Sequence, residues 1–190
     1  MTNQGHTGSG DNIYIEGNAT FQTIQKQPSI LADIINELGS KLFAKGNLEE
    51  QTYDGYSITE KIEYNSVIEY KPVIEELKIY QGKLNIIYNE IEANGSNKKH
   101  CLLLNIRNTY LKVKGQFLKK NQGQSELQVI RDNSDAIIKT IENTLYEEID
   151  KSNNINQNQE TIKCGISIVL IDAFIRCKVL EEPLRNVSIQ

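Results

Sequence analysis

The chain has little of the chemistry on which enzymes depend. Its 190 residues include two histidines, three cysteines, three prolines, one methionine and no tryptophan. His100 precedes Cys101, and adjacent side chains point about 100° apart on a helix, so these two residues cannot form a catalytic dyad. No spacing of histidine, cysteine and carboxylate residues is typical of a metal site. The glycines near the start lack the preceding strand and the G-K-[ST] ending of a phosphate-binding loop. The sequence therefore predicts no catalytic, metal-binding or cofactor-binding residue and indicates a non-enzymatic protein.

The cysteines and the apolar runs favour a reducing, aqueous compartment. The chain has no C-x-x-C pair, and Cys101 begins an apolar run, which predicts reduced and buried thiols. No basic segment followed by an apolar segment opens the chain, so we expect no secretory signal. The longest apolar stretch, 166–180, contains charged residues and is too short to cross a bilayer. We expect a cytoplasmic protein without a membrane partner.

The first 27 residues differ from the rest of the chain. Hydrophobic residues make up 38% of the sequence, which is low for a compact domain and indicates that part of the chain lies outside the core. Residues 1–27 are rich in Gly and Asn, and two β-like runs flank Gly17-Asn18. The runs carry Ile13, Ile15 and Phe21. Because an isolated hairpin is marginal in water, we expect either disorder or β-pairing within an assembly.

The remainder of the chain has the spacing of amphipathic helices. We predict a connector helix over 28–46, a polar linker over 47–55, a helical domain over 56–183 and a tail over 184–190. Ser57 and Glu60 fit a capping box. Within the domain, apolar residues recur every three or four positions over four long segments, at about 70–91, 98–120, 125–149 and 159–180. This pattern predicts an all-α fold, an antiparallel bundle of four long helices with the most apolar, last helix at its centre.

Charge is distributed unevenly along these helices. Residues 93–125 contain seven Lys and Arg residues and no acidic residue. Residues 49–92 carry a net charge of -6 (ten acidic and four basic residues), and residues 126–160 carry -5 (eight acidic and three basic residues). One interpretation is a basic helix packed among acidic neighbours. The other is a basic surface for nucleic acid or for an acidic protein, with the cations freest to bind at the two helix ends, Lys98, Lys99, Lys119 and Lys120.

Two charged residues fall inside the most apolar segment. Asp172 and Arg176 are four residues apart, which places them on the same side of a helix. Because an unpaired charge is costly inside a protein, the spacing predicts an internal ion pair. The alternative is that both residues line a contact surface for another protein.

Several strings resemble the helical C-terminal domains of bacterial ABC-three-component systems, which are predicted conflict or anti-phage loci. The resemblance covers roughly residues 53–183 and is carried by YSITEKIEYN at 56–65, YKPVIEE at 70–76, YLKVKG at 110–115, and DAFIRCK at 172–178 followed by Leu180-Glu181. It implies a domain that couples an effector or sensor to an ABC-type ATPase and a middle component. Since only the tail and one helix precede the domain here, the resemblance implies a standalone adaptor.

Three hypotheses follow for the function. The first is a non-enzymatic adaptor of a multi-component defence system, with an ATPase or effector chain of that system as its partner. The second is a nucleic-acid-binding accessory protein that uses the basic helix 97–120. The third is a self-assembling structural protein that forms homo-oligomers through residues 13–24. The candidate partner-binding residues are Ile13, Ile15, Phe21, Lys98, Lys99, Lys119, Lys120, Asp172 and Arg176.

Overall fold

The computed structural model describes residues 26–41, 57–93 and 95–183. Over these ranges the protein is helical without a strand, which confirms the predicted all-α class; the nearest approach to a sheet is one isolated bridge between Gln27 and Ser152. The candidates in 13–24 and the linker 47–55 lie outside the described residues. The helices are α1 (Ile30–Lys41), α2 (Ile58–Tyr64), α3 (Lys71–Leu77), a 3-10 turn (Lys78–Tyr80), α4 (Gln81–Glu92), α5 (Lys98–Lys120), α6 (Glu126–Asp132), α7 (Ser134–Asp150) and α8 (Gln159–Ile175).

Helix α8 forms the centre of the fold. Every residue from Ile168 to Ile175 is buried, and α1, α3, α4 and α7 all pack against this helix. A helix that is apolar on all sides is stable only when other elements surround it. The segment is rich in β-branched residues, yet its period of 3.6 predicts a helix, and the structure confirms both the helix and its central position.

Helix α1, which the sequence predicts as a connector, contributes to the same core. Leu31, Ile34, Ile35 and Leu38 are at most 1% exposed. Asn154 holds α1 from the polar loop after α7, because its amide donates to Ser29 O at 2.9 Å and its carbonyl accepts from Ser29 N at 2.8 Å. The loop after α7 thus fixes the start of α1 by hydrogen bonds.

Two of the four predicted long helices are divided. Residues 70–91 form α3, the 3-10 turn and α4, with Pro72 in the first turn of α3. The segment 125–149 breaks at Asn133, whose side-chain amide donates to Val129 O at 2.8 Å and so competes with the backbone of the helix. Helix α5 is continuous as predicted. The antiparallel four-helix arrangement stays a prediction.

The capping box that the sequence predicts at the start of α2 is present in the structure. The hydroxyl of Ser57 accepts from Glu60 N at 3.1 Å, and the Glu60 carboxylate accepts from Ser57 N at 2.5 Å, which confirms the capping box.

At the other end of the chain, α8 stops at Ile175, before the predicted end near 180. The backbone turns there, with Cys177 at φ 55° and Leu180 at φ 60°. The apolar pattern continues because Leu180 folds back into the core.

Among the helices of the described ranges, none is both long enough and apolar enough to span a bilayer.

Candidate functional site

The most unusual buried group is the ammonium of Lys61, a residue of α2 that is 0% exposed. It donates to the carbonyl of Val179 at 3.0 Å and to the carbonyl of Phe174, and it lies 3.3 Å from the Cys177 sulfur. It also sits 4.3 Å from the centre of the Phe174 ring. Burial lowers the pKa of Lys61 from 10.5 to about 8. The group therefore caps the C-terminal end of α8, where a positive charge is favourable.

The segment that follows α8 is fixed by two further contacts. The Asn65 side chain accepts from Glu181 N at 2.9 Å and donates to Glu181 O at 2.8 Å. The Glu181 carboxylate accepts from the Tyr110 hydroxyl at 2.5 Å and from Lys114 at 2.8 Å. Although burial opposes ionisation, the bonds from Lys114 and Tyr110 lower the pKa of Glu181. Hydrogen bonds from Asn65, which follows α2, and from Tyr110 and Lys114 of α5 thus hold the turn 176–181 against the core.

Asp172 and Arg176 form the internal ion pair that their spacing predicts. Arg176 Nε lies 2.9 and 2.8 Å from the two carboxylate oxygens of Asp172. The Tyr88 hydroxyl donates to the same carboxylate at 3.1 Å, and Arg176 also donates to Asn85. Asp172 is 1% exposed, whereas the Arg176 side chain is 17% exposed. Of the two candidate contact residues, only Arg176 therefore reaches the surface.

A third polar cluster fixes the loop that leads into α3. The Asp135 carboxylate accepts from the backbone N–H groups of Ile68 and Tyr70, both at 3.0 Å. Glu142, on the same helix α7, accepts from the Tyr70 hydroxyl and from Lys139, both at 2.8 Å. Burial and the bond to Glu142 raise the pKa of Tyr70. Asp135 and Glu142 of α7 thus bind backbone and side-chain groups of the protein itself.

Sequence reasoning missed Lys61 and Asn65. Together with Ile58 and Ile62 of α2 they have the spacing i, i+3, i+4 and i+7, which is the apolar stripe of an amphipathic helix, with Asn65 as the C-cap of α2. Polar residues at two positions of that stripe are the signal that would have located them. Asn65 also donates to Lys61 O, but the partners of both residues beside α8 lie more than 110 positions away, so no local pattern identifies them.

The predicted basic residues do not form one patch. Lys98 pairs with Asp33 at 2.8 Å, and Lys99 lies 5.1 Å from the Tyr88 ring centre. Lys119 and Lys120 are exposed at the other end of α5, about 30 Å away at 1.5 Å per helical residue. Lys114, between them, is bound to Glu181 and Glu126. The helix thus pairs with acidic neighbours at several points. At its C-terminal end Lys119 and Lys120 are exposed, and Lys120 lies 5.9 Å from the Phe117 ring centre.

Helix α5 also has a partly apolar outer face, which we name the outer seam. Leu104 and Leu111 are 48% and 45% exposed. Cys101 is exposed as well, so the prediction of a buried thiol is wrong for this residue: an apolar run on a helix rotates by about 100° per residue and places some of its members outside. The outer seam consists of Cys101, Leu104, Asn108, Leu111, Gly115 and Leu118.

Two hollows border the outer seam. One, of about 250 Å³, lies beside Leu104 and is lined by Lys99, Arg107 and Lys178 together with a single acidic residue, Glu92. The other, of about 630 Å³, is an open groove between α1, α5 and α7 that includes Cys101. Within the described residues, no group of His, Cys, Asp and Glu side chains could hold a metal ion. In the larger groove the Ser29 hydroxyl donates to the Glu148 carboxylate at 2.8 Å.

The fold defines an all-helical domain in which the buried side chains of Lys61, Asn65, Glu142 and Asp172 are bonded to the domain itself. The chain belongs to a known family, because the model of C-terminal domain 10 of the ABC-three component (ABC-3C) systems matches residues 29–181. This confirms the resemblance seen in the sequence and extends it to include α1. No curated protein and no solved structure shows a significant match.

Proposed function

We propose that this chain is a non-enzymatic protein-interaction component of an ABC-3C defence system. The observation that carries the proposal is the set of large apolar side chains left at the surface of helices whose opposite sides are fully packed. Ile86 on α4 is 57% exposed, and Leu104 and Leu111 on α5 are each nearly half exposed. Apolar side chains on rigid helices are a favourable surface for another protein, since their burial on association releases water at little conformational cost.

The buried polar groups support a binding role over a catalytic one. Lys61 is bonded to backbone carbonyls, and Asp172 is bonded to Arg176 and Tyr88. Glu142 is bonded to Tyr70 and Lys139. Each group is thereby oriented toward the protein interior, where it stabilises the fold. A catalytic group must instead present a free donor or acceptor toward a substrate.

The partner that we propose is another protein of the same ABC-3C system, an ATPase or effector chain. In this account the chain is an adaptor: its core holds the helices in fixed positions, and its surface binds the partner. Membership of a family defined within multi-component systems supports this role.

Co-expression of the tagged, full-length chain with the other proteins of its ABC-3C system tests the proposal. We expect a partner chain to be recovered at a fixed ratio and to remain bound through size-exclusion chromatography. The matched control is the same chain co-expressed with the components of an unrelated ABC-3C system, which we expect not to be retained. Recovery of the chain alone from its own system would contradict the proposal.

The same purified chain tests the nucleic-acid alternative. We expect a labelled DNA duplex and a labelled RNA to show no saturable binding at low salt. Tight binding that is lost when Lys119 and Lys120 are replaced by Glu would favour the accessory-protein hypothesis instead.

A further inference from the structure

The outer seam has the spacing of a helix-pairing surface. Its residues recur at alternating intervals of three and four, with leucine at every seventh position: Leu104, Leu111 and Leu118. This is the heptad pattern by which one helix packs along another. The intervening positions are the small or polar residues Cys101, Asn108 and Gly115, which allow close approach of a second helix.

The outer seam lies on the side of α5 opposite the core. The buried side of α5 consists of Leu102, Leu103, Ile106, Tyr110 and Val113. At 100° per residue, Asn108 and Gly115 point nearly 180° away from the middle of that stripe. A Cβ atom added to Gly115 would meet no atom within 4 Å. In the described part of the chain, this helix therefore carries a second stripe opposite the packed one, with Leu104 and Leu111 exposed and Leu118 half-buried.

The charges beside the outer seam define the chemistry of what binds there. Lys112 and Lys119 border it on one side and Arg107 on the other. The hollow beside Leu104 adds Lys99 and Lys178. Helix α5 itself contains no acidic residue. A second copy of this face would bring like charges together, which is unfavourable, whereas a helix with Asp or Glu at its flanking positions would be attracted.

We infer that the outer seam of α5 is the docking site for an amphipathic α-helix of another protein, with leucine-type residues on one stripe and acidic residues beside it. The inference rests on the proposed function and names the surface and the partner chemistry. Residues 101–118 span about 26 Å at 1.5 Å per residue, so the partner helix pairs over about five turns. The leucines at the centre of the surface favour a protein as the partner. The phosphates of a nucleic acid would contact the cations and would leave these leucines exposed to water.

Cys101 is a built-in probe of this surface. Its thiol is exposed at one end of the outer seam, whereas Cys164 and Cys177 are partly buried. Alkylation with a maleimide, followed by peptide mass spectrometry, measures the rate at each cysteine separately. In the isolated chain we expect Cys101 to react fastest. In the complex with the ABC-3C partner we expect its rate to fall at least about tenfold, because a docked helix covers the thiol, while the rates at Cys164 and Cys177 stay unchanged.

A pair of surface variants tests the apolar stripe. Leu104→Glu combined with Leu111→Glu places two acidic residues on the seam, and we expect the affinity for the partner to fall at least about tenfold. Ile68→Glu is the matched control, because Ile68 is also an exposed apolar residue but lies in the loop between α2 and α3; it should bind like the unmodified chain. Replacement of Lys112 and Lys119 by Glu should weaken binding and reduce its salt dependence.

The outcomes separate the inference from the proposed function. If no partner binds the unmodified chain, the proposed function fails, and the inference fails with it. If a partner binds but Cys101 reacts at its free rate and the double leucine variant binds normally, the proposed function stands and the inference is overturned. Slow reaction of Cys101 in the isolated chain would also overturn it, because a segment of the chain itself would then cover the seam.

Discussion

Lys61 Nζ donates a hydrogen bond to the carbonyl oxygen of Val179 at 3.0 Å, across 118 positions of sequence. The same ammonium binds the carbonyl of Phe174, so one side chain of α2 satisfies two acceptors at the end of the central helix. Carbonyls at a helix C-terminus have no partner within the helix and need one from elsewhere when they are buried. Lys61 supplies a donor to both carbonyls and thereby links α2 to the segment that follows α8.

Replacement of Lys61 tests this link. In Lys61→Met the side chain keeps its approximate length but loses its donors. The buried carbonyl of Val179 then loses the bond from Lys61, and the carbonyl of Phe174 keeps only its backbone bonds, such as that from Cys177 N at 3.0 Å. We expect the free energy of unfolding to fall by about 1–3 kcal/mol, as for other buried acceptors that lose their donor. Urea titration measures the change. The exposed Lys163 on the same central helix is the control, and Lys163→Met should change stability by no more than about 0.5 kcal/mol.

The lowered pKa of Lys61 predicts a pH dependence. Its value is 10.5 in the unfolded chain and about 8 in the folded protein. Between these two values the unfolded state binds more protons than the folded state, so stability rises with pH. Below pH 8 the cost of burying the charge is fully present. We expect the stability of the unmodified protein relative to Lys61→Met to increase between pH 7.5 and pH 9.5. A constant difference across that range would show that Lys61 is not desolvated.

Two helical glycines are expected to respond to alanine in opposite directions. A Cβ atom on Gly165 of α8 would lie 3.1 Å from Cγ1 of Ile35, a buried residue of α1. We expect Gly165→Ala to destabilise the protein by about 0.5–2 kcal/mol through overpacking. Gly115 on α5 has open space around it, and Gly115→Ala should stabilise by about 0.5–1 kcal/mol. Thermal unfolding of both variants measures this; stabilisation by both would contradict the close packing of α1 on α8.

The ion pair between Asp172 and Arg176 is expected to behave as a buried unit. Asp172→Asn leaves the guanidinium of Arg176 without its counter-charge. This change should lower the free energy of unfolding by about 2–4 kcal/mol, less than for a fully buried pair because Arg176 is partly exposed. A double-mutant cycle with Arg176→Met should show a combined loss smaller than the sum of the two single losses. Full additivity would mean that the two side chains do not interact in solution.

Local patterns predicted the helical elements, because caps and stripes depend on neighbours three or four residues away. The capping box of Ser57 and Glu60 and the full length of α5 follow from such patterns. The divisions at Asn133 and at the 3-10 turn Lys78–Tyr80 do not, since the apolar spacing continues through them. The early end of α8 was missed for the same reason: Leu180 keeps the apolar spacing but reaches the core from a turn.

The candidate site was less accessible to sequence reasoning. Basic residues were identified from charge alone, and the structure places them at opposite ends of α5 or in contact with acidic and aromatic neighbours. The outer seam was missed because the apolar positions of α5 were assigned to a single stripe. Leu104 and Leu111 have the chemistry of core residues, and only the position of α5 in the fold shows which of its leucines are left outside.

The proposed function and the docking of a helix both require contact between the outer seam and another protein of the ABC-3C system. A photo-crosslinking phenylalanine analogue in place of the exposed residue Asn108 tests that contact directly, with the same analogue in place of the exposed residue Lys163 on α8 as control. After irradiation of the co-expressed system, we predict a covalent product between this chain and a second component from position 108 and none from position 163. A complex that forms normally but gives no inter-chain product at 108, or gives one only at 163, would contradict the account.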